Sequence, residues 1–239
     1  MWCRSDFGRR RATLRQTLAA VLGSLLSAIL SAPAAANVAV PVILGPIAGP
    51  GAPSLDSTVF GLAPFGYVEE EFFAAATATS YVNDGAWSAD GKWSVSPGET
   101  AAYRTRFLVR RPTARGRFNG IVIVEWLNVS GGFDAGPEWT FAHTMLLRQG
   151  FAWVGVSAQY VGVSGGPPLN LDLSLRAVNP ARYGTLHHPG DSFSYDMFSQ
   201  AGQALRQPGT PLLGHLMPDR LIAVGESQSA YRLVTYVNA

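Results

Sequence analysis

The sequence predicts an α/β protein with a mostly parallel central sheet flanked by helices. Three observations carry that prediction. Short, mostly apolar runs recur at 121–127, which opens with four β-branched residues, at 151–158 and at 221–224, as strands covered on both faces require. Segments with apolar residues at helical spacing lie between and after them, at 137–149, 196–206 and from 230 onward. The last apolar run ends in a tight Gly225-Glu226-Ser227-Gln228-Ser229 turn that leads straight into a helix. Strands alternating with helices imply crossover units, and crossovers make neighbouring strands parallel.

The N-terminus is expected to be a leader. Arg4, Arg9, Arg10, Arg11 and Arg15 precede an uncharged apolar stretch at 18–30, which has the length of a signal-peptide core rather than of a membrane span. Ala34-Ala35-Ala36 then offers a small-residue cleavage site. Residues 1–36 are therefore read as a signal peptide cleaved after Ala36, with an uncleaved anchor as the alternative. Export to the periplasm or the medium follows, with no stable membrane span after cleavage. The paired arginines and Leu14 fit twin-arginine export, Thr13 does not, and general secretion stays open.

Removing the leader changes the charge balance. It holds five of the 18 basic residues and one of the 16 acidic ones, leaving thirteen and fifteen, a net charge of −2. The basic character thus belongs to the leader, and nothing points to nucleic acid as a partner. Cys3, the single cysteine, lies in the leader, so a cleaved protein would have no disulfide. About 200 remaining residues suffice for a real core.

Residues 37–64 are rich in Pro, Gly, Ala and Ser and read as an extended lead-in with little structure of its own. From 65 to the end the chain reads as one domain. Segments 67–73 and 77–82 look like two early strands, and the consecutive Glu69, Glu70 and Glu71 suggest an exposed sheet edge. Turn residues surround Trp87 and Trp93. A strand at 101–110 alternates clearly and stops at Arg111-Pro112. The helix at 137–149 meets Gly150 as its C-cap. Residues 160–194 form a long irregular passage before the helix at 196–206.

Strand, sharp turn and helix with a serine at the apex form a nucleophile elbow. The chain reverses so tightly that positions two before and two after the serine must be small, and they are Gly225 and Ser229. This arrangement resembles the α/β-hydrolase superfamily, with Ser229 where the usual G-x-S-x-G motif has its second glycine. Further stretches are similar to the secreted bacterial proteins described as alpha/beta hydrolase domain-containing. They are Val124-Glu125-Trp126-Leu127-Asn128-Val129-Ser130-Gly131-Gly132, Trp153-Val154-Gly155-Val156-Ser157-Ala158-Gln159 and Asp196-Met197-Phe198-Ser199-Gln200-Ala201-Gly202.

The resemblance implies a serine hydrolase with Ser227 as nucleophile, acting on a small-molecule ester through an acyl-enzyme. It implies an oxyanion hole built from the backbone N–H of Gln228 and an N–H of the loop carrying Gly131 and Gly132. The superfamily's triad runs Ser, then Asp or Glu, then His, and residues 228–239 hold none of those acids or bases. The expectation is a partial α/β-hydrolase fold whose C-terminal strands, acid and histidine lie beyond Ala239. The alternative is a non-catalytic secreted binding protein or pseudoenzyme on the same fold, and a lyase is a third reading.

Other candidates are weighed against that site. Asn128, His187, His188, Asp191 and Glu226 are candidate pocket residues. His143 reads as a packing residue and His215 as a loop residue. A metal site at His187, His188 and Asp191 is disfavoured, because adjacent histidines rarely converge on one ion. No metal or cofactor is expected. Glu125 and Glu226 could form the carboxylate pair of a glycosidase, though nothing in the sequence sets their separation. Oligomeric state is not legible.

Overall fold

The computed structural model describes residues 38–166 and 171–239. The expected signal peptide, its cleavage site and Cys3 lie outside them. Six strands form one sheet in the order β1-β2-β3-β5-β4-β6. These are β1 (Val42–Leu44), β2 (Tyr67–Asn83), β3 (Val95–Pro112), β4 (Ile121–Trp126), β5 (Ala152–Val156) and β6 (Arg220–Val224). The helices are α1 (Pro137–Gln149), α2 (Tyr160–Ser164), α3 (Leu175–Val178), α4 (Pro180–Tyr183), α5 (Ser194–Arg206) and α6 (Gln228–Asn238). Among the described residues no helix is long and apolar enough to cross a membrane.

The sheet is mixed rather than mostly parallel. β4 pairs in parallel with β5 and β6, whereas the β1–β2, β2–β3 and β3–β5 pairs are antiparallel. The reason is the β2–β3 hairpin, far longer than the sequence suggests. The segments 67–73 and 77–82 are one 17-residue strand. Ala74, Ala75 and Ala76, poor strand formers by themselves, are kept in it by pairing with β3 on one side and, at Ala74 and Ala75, with β1 on the other.

The three glutamates do not mark an exposed edge, because β2 lies inside the sheet and each glutamate meets an arginine. Glu69 binds Arg110 at 2.7 Å, Glu70 binds Arg111 at 2.6 Å and Glu71 binds Arg182 at 2.6 Å. Glu71 is wholly enclosed, and Tyr183 also donates to it at 2.9 Å.

The parallel half matches the apolar runs. Val122, Val124 and Trp126 of β4 pack with Val154 and Val156 of β5 against Phe198, Ala201 and Leu205 of α5. Ile123 and Trp153 point the other way, onto Trp139, Leu146 and Leu147 of α1. Alternate residues of a fully buried strand thus serve opposite layers. Each such side chain, fully buried, contributes roughly 1.5–3 kcal/mol. Gly150 ends α1 at φ 77°, where an added Cβ would lie 1.9 Å from the Arg117 carbonyl oxygen.

The lead-in contributes β1, and two arginines hold its carbonyls. Arg182 donates to Ile47 at 3.0 Å and Gly51 at 2.8 Å, and Arg106 donates to Ser54 at 2.9 Å. The irregular passage contains α2, α3, α4 and a 3-10 turn at Asp191–Phe193.

Candidate active site

β4 sits between β5 and β6, so the chain leaves it to one side for β5 and then crosses to the other for β6. The carboxyl ends of parallel strands at such a reversal form a crevice where ligands bind in open α/β sheets. The register pairs Glu125 with Gly155 and with Val224, so the three strand ends lie level. Asn128 follows β4, Gln159 follows β5 and Ser227 follows β6.

Ser227 has φ 52° and ψ −115°, and it is the only described non-glycine residue with a positive φ. A β-carbon at positive φ costs of order 1–3 kcal/mol, strain that persists only when the surroundings impose it. Here β6 and α6 impose it by meeting at that residue. Ser227 is exposed and forms the N-cap of α6, its carbonyl accepting from Ala230 N at 3.1 Å. Gly225 is required by close approach, since a Cβ there would stand 3.0 Å from Leu233 and 3.1 Å from the Ser229 backbone. Ser229, where a second glycine was expected, is buried and staples the turn. Its hydroxyl accepts from Glu226 N at 3.0 Å and donates to Glu226 O at 2.9 Å.

The serine is held from both sides by neutral amides. Asn128 Nδ2 donates to Glu226 O at 3.0 Å, while its Oδ1 accepts from Ser130 N at 2.8 Å. Gln159, 1% exposed, donates through Nε2 to Leu127 O at 3.1 Å and to Gln228 Oε1 at 3.0 Å. Gln228 Nε2 returns a bond to Gln159 Oε1. Asn128 therefore braces the elbow rather than simply lining a pocket. Gln159 was not among the candidate residues, and only its place after an apolar strand could have pointed to it.

The oxyanion candidates divide. The Gln228 N–H has no partner among the described residues and stands at the N-terminus of α6, where the helix dipole favours negative charge. Gly132 spends its N–H on Val129 O at 3.0 Å, closing a turn with φ 81°. The Gly131 N–H has no partner among the described residues, which makes it the freer of the two.

The remaining candidates scatter. His187 is exposed and bridges Arg104 through its backbone. His188 is buried, donates Nε2–H to Ala158 O at 3.0 Å and accepts Gly190 N–H on Nδ1 at 3.2 Å. Burial lowers its pKa and keeps the ring neutral. Asp191 accepts from Tyr160 N at 2.7 Å and from Arg232 of α6 at 2.6 Å. Neither histidine is hydrogen-bonded to Ser227 in the described structure. His143 packs against Phe60, ring centres 5.2 Å apart, with Nδ1 on the Trp139 and Thr140 carbonyls.

Glu226 is exposed at the turn, but Glu125 faces α1 and not the elbow. It accepts from Glu138 N at 3.0 Å, Trp139 N at 3.3 Å and Trp153 Nε1 at 2.8 Å, so it caps α1. Burial pushes its pKa up to about 7 against the pull of those donors. The two carboxylates do not converge as a glycosidase pair. A cleft of about 770 Å³, lined by Tyr81, Trp87, Trp93, Tyr195 and Tyr236, lies toward the far end of α6 and does not include Ser227.

No curated protein matches the chain. A CE15 glucuronoyl esterase from Teredinibacter turnerae T7901 is similar at 14% identity over 72% of this chain, with a TM-score of 0.25. The chain spans 42% of that esterase's length, and a likeness at this level supports no inference. The alpha/beta hydrolase domain matches residues 38–239, which include the whole sheet and the elbow. The chain belongs to the alpha/beta hydrolase domain family.

Proposed function

We propose that the protein is an exported serine hydrolase that cleaves carboxylic esters through an acyl-enzyme on Ser227. The observation that carries this reading is the apex itself: an exposed serine at φ 52°, between β6 and the N-terminus of α6. Ser227 Oγ attacks the ester carbonyl as a general base takes its proton, and the carbonyl π electrons move onto the carbonyl oxygen. That oxyanion is received by the Gln228 N–H and by an N–H of the 131–132 loop, for which Gly131 is the better candidate. Collapse breaks the bond to the alcohol oxygen, which takes that proton from the base, and leaves the acyl group on Ser227. Water then attacks in the same way, giving its proton to the base, and collapse releases the acid and returns the proton to Ser227 Oγ.

An alcohol is a weak nucleophile at neutral pH and needs a base within hydrogen-bond reach. In the family the acid and the histidine follow the serine in chain order. Without the histidine, turnover would fall on the order of a million-fold. The second reading, a secreted binding protein on the same fold, is favoured by one observation: among the described residues the rings of His143 and His188 are hydrogen-bonded to backbone groups and not to Ser227.

Labelling with a fluorophosphonate separates the two. The full natural protein is expected to label stoichiometrically and the Ser227→Ala variant not at all. Absence of labelling in the full natural protein would sink the hydrolase reading in favour of the binding protein.

A further inference from the structure

An oxyanion hole works only if two N–H groups from different loops reach one oxygen, each within about 2.7–3.1 Å. Here one donor follows Ser227 and the other lies in the loop after β4. Something must hold those loops in one frame, and two side chains do so: Asn128 from within the β4 loop, reaching the residue before the apex, and Gln159 from the end of β5, reaching the residue after it. The Gln159 Nε2 donates to Leu127 O, at the end of β4, and to Gln228 Oε1, on the residue whose N–H is the donor. Its Oε1 takes a bond back from Gln228 Nε2.

We propose that Gln159 is a positioning residue for the oxyanion donor, fixing the Gln228 N–H relative to the β4 loop. The inference rests on the hydrolase reading above. Burying an amide at 1% exposure is costly unless every polar atom is used, and here both ends are. The residue it grips follows a strained apex that would otherwise relax. Asn128 secures the preceding residue in the same way, so the apex is fixed on both sides from the end of β4. The grip is uncharged, which suits a site where negative charge must develop.

The test is a double-mutant cycle on the full natural protein with p-nitrophenyl acetate, using Q159L, Q228A and the double variant. Misplacing a reacting group by about an ångström costs up to roughly 100-fold. Q159L is therefore expected to lower kcat about 10- to 100-fold with KM within about two-fold. Because Gln159 acts through Gln228, it should cost nothing more in the Q228A background. The isosteric Q159E, which keeps the packing and the acceptor oxygen but loses both donated bonds, should also lose kcat and not KM. It serves if Q159L does not fold. A wild-type kcat in either Gln159 variant, or an undiminished cost in the Q228A background, overturns the positioning role alone. A wild-type protein that neither turns over ester nor labels at Ser227 removes the hydrolase reading and this role with it.

Discussion

The two halves of the sheet fix their polar groups in opposite ways. In the hairpin half the chain buries charge. Arg106, fully enclosed, donates to Asp134 at 2.7 Å and to Ser157 at 2.9 Å and lies 3.6 Å from Glu71, which Arg182 shares. At the elbow the bracing groups are neutral: Asn128, Gln159, Gln228 and Ser229. Charged networks hold a scaffold rigidly but carry strong fields through a dry interior. A neutral brace gives directional bonds without a fixed charge next to the apex. The hairpin half is built for holding, and the elbow is built to be held while leaving one serine free.

That contrast can be broken from either side. The largest expected effect is at Arg106. Replacing it with Met leaves the Glu71 and Asp134 carboxylates short of their counter-charge and should cost about 3–5 kcal/mol in chemical denaturation. Labelling at Ser227 should survive in the protein that remains folded. A loss below about 1 kcal/mol would mean the network is not as dry as its burial indicates.

Next is Glu125, whose folded pKa of about 7 is raised by burial. Between the ordinary carboxylate value and about pH 7 the folded state keeps a proton that the unfolded chain has released. Stability therefore falls as pH rises through that window, by about 3 kcal/mol at most. Denaturation midpoints at pH 5 and pH 7.5 should show that slope in wild type and lose it in Glu125→Gln. The variant should also start lower, since an amide offers one acceptor oxygen where three N–H donors converge. Equal slopes in both proteins would place the titration elsewhere.

Ser229→Ala removes both bonds to the Glu226 backbone and should cost about 1–2 kcal/mol, while Ser229→Gly should leave labelling at Ser227 intact. If Ser229→Gly abolished labelling with the fold preserved, the staple rather than the small size of residue 229 would be what the elbow needs. The smallest effect is at Arg232, whose pair with Asp191 is about a third exposed at each end. Arg232→Ala should change stability by less than about 1 kcal/mol.

Legibility in the sequence followed the range of the interactions. β4, α1, β5, α5, β6 and α6 were readable because apolar periodicity is local, and α1 spans the expected residues. The elbow was readable because its small residues lie within five positions. The hairpin was not, because Ala74–Ala76 become strand only through partners on β1 and β3. The glutamates looked solvated because their arginines are remote: Arg182 lies 111 residues from Glu71. Gln159 gave no local sign beyond its place after an apolar strand, its partner being 69 residues away. Gly132 looked like a donor until its N–H was found closing a turn. Glu125 was legible only as a possible partner of Glu226, and not as the cap of the following helix, because its donors there lie 13 and 14 residues on.

The central claim is that Ser227 is a nucleophile, and trapping the acyl group tests it most directly. The full natural protein is mixed with a p-nitrophenyl ester, quenched in acid within the first turnover and digested with trypsin. The account predicts the mass of one acyl group on the peptide 221–232, located at Ser227 and missing from Ser227→Ala. An acyl group found on another residue, or rapid turnover retained in Ser227→Ala, would contradict it.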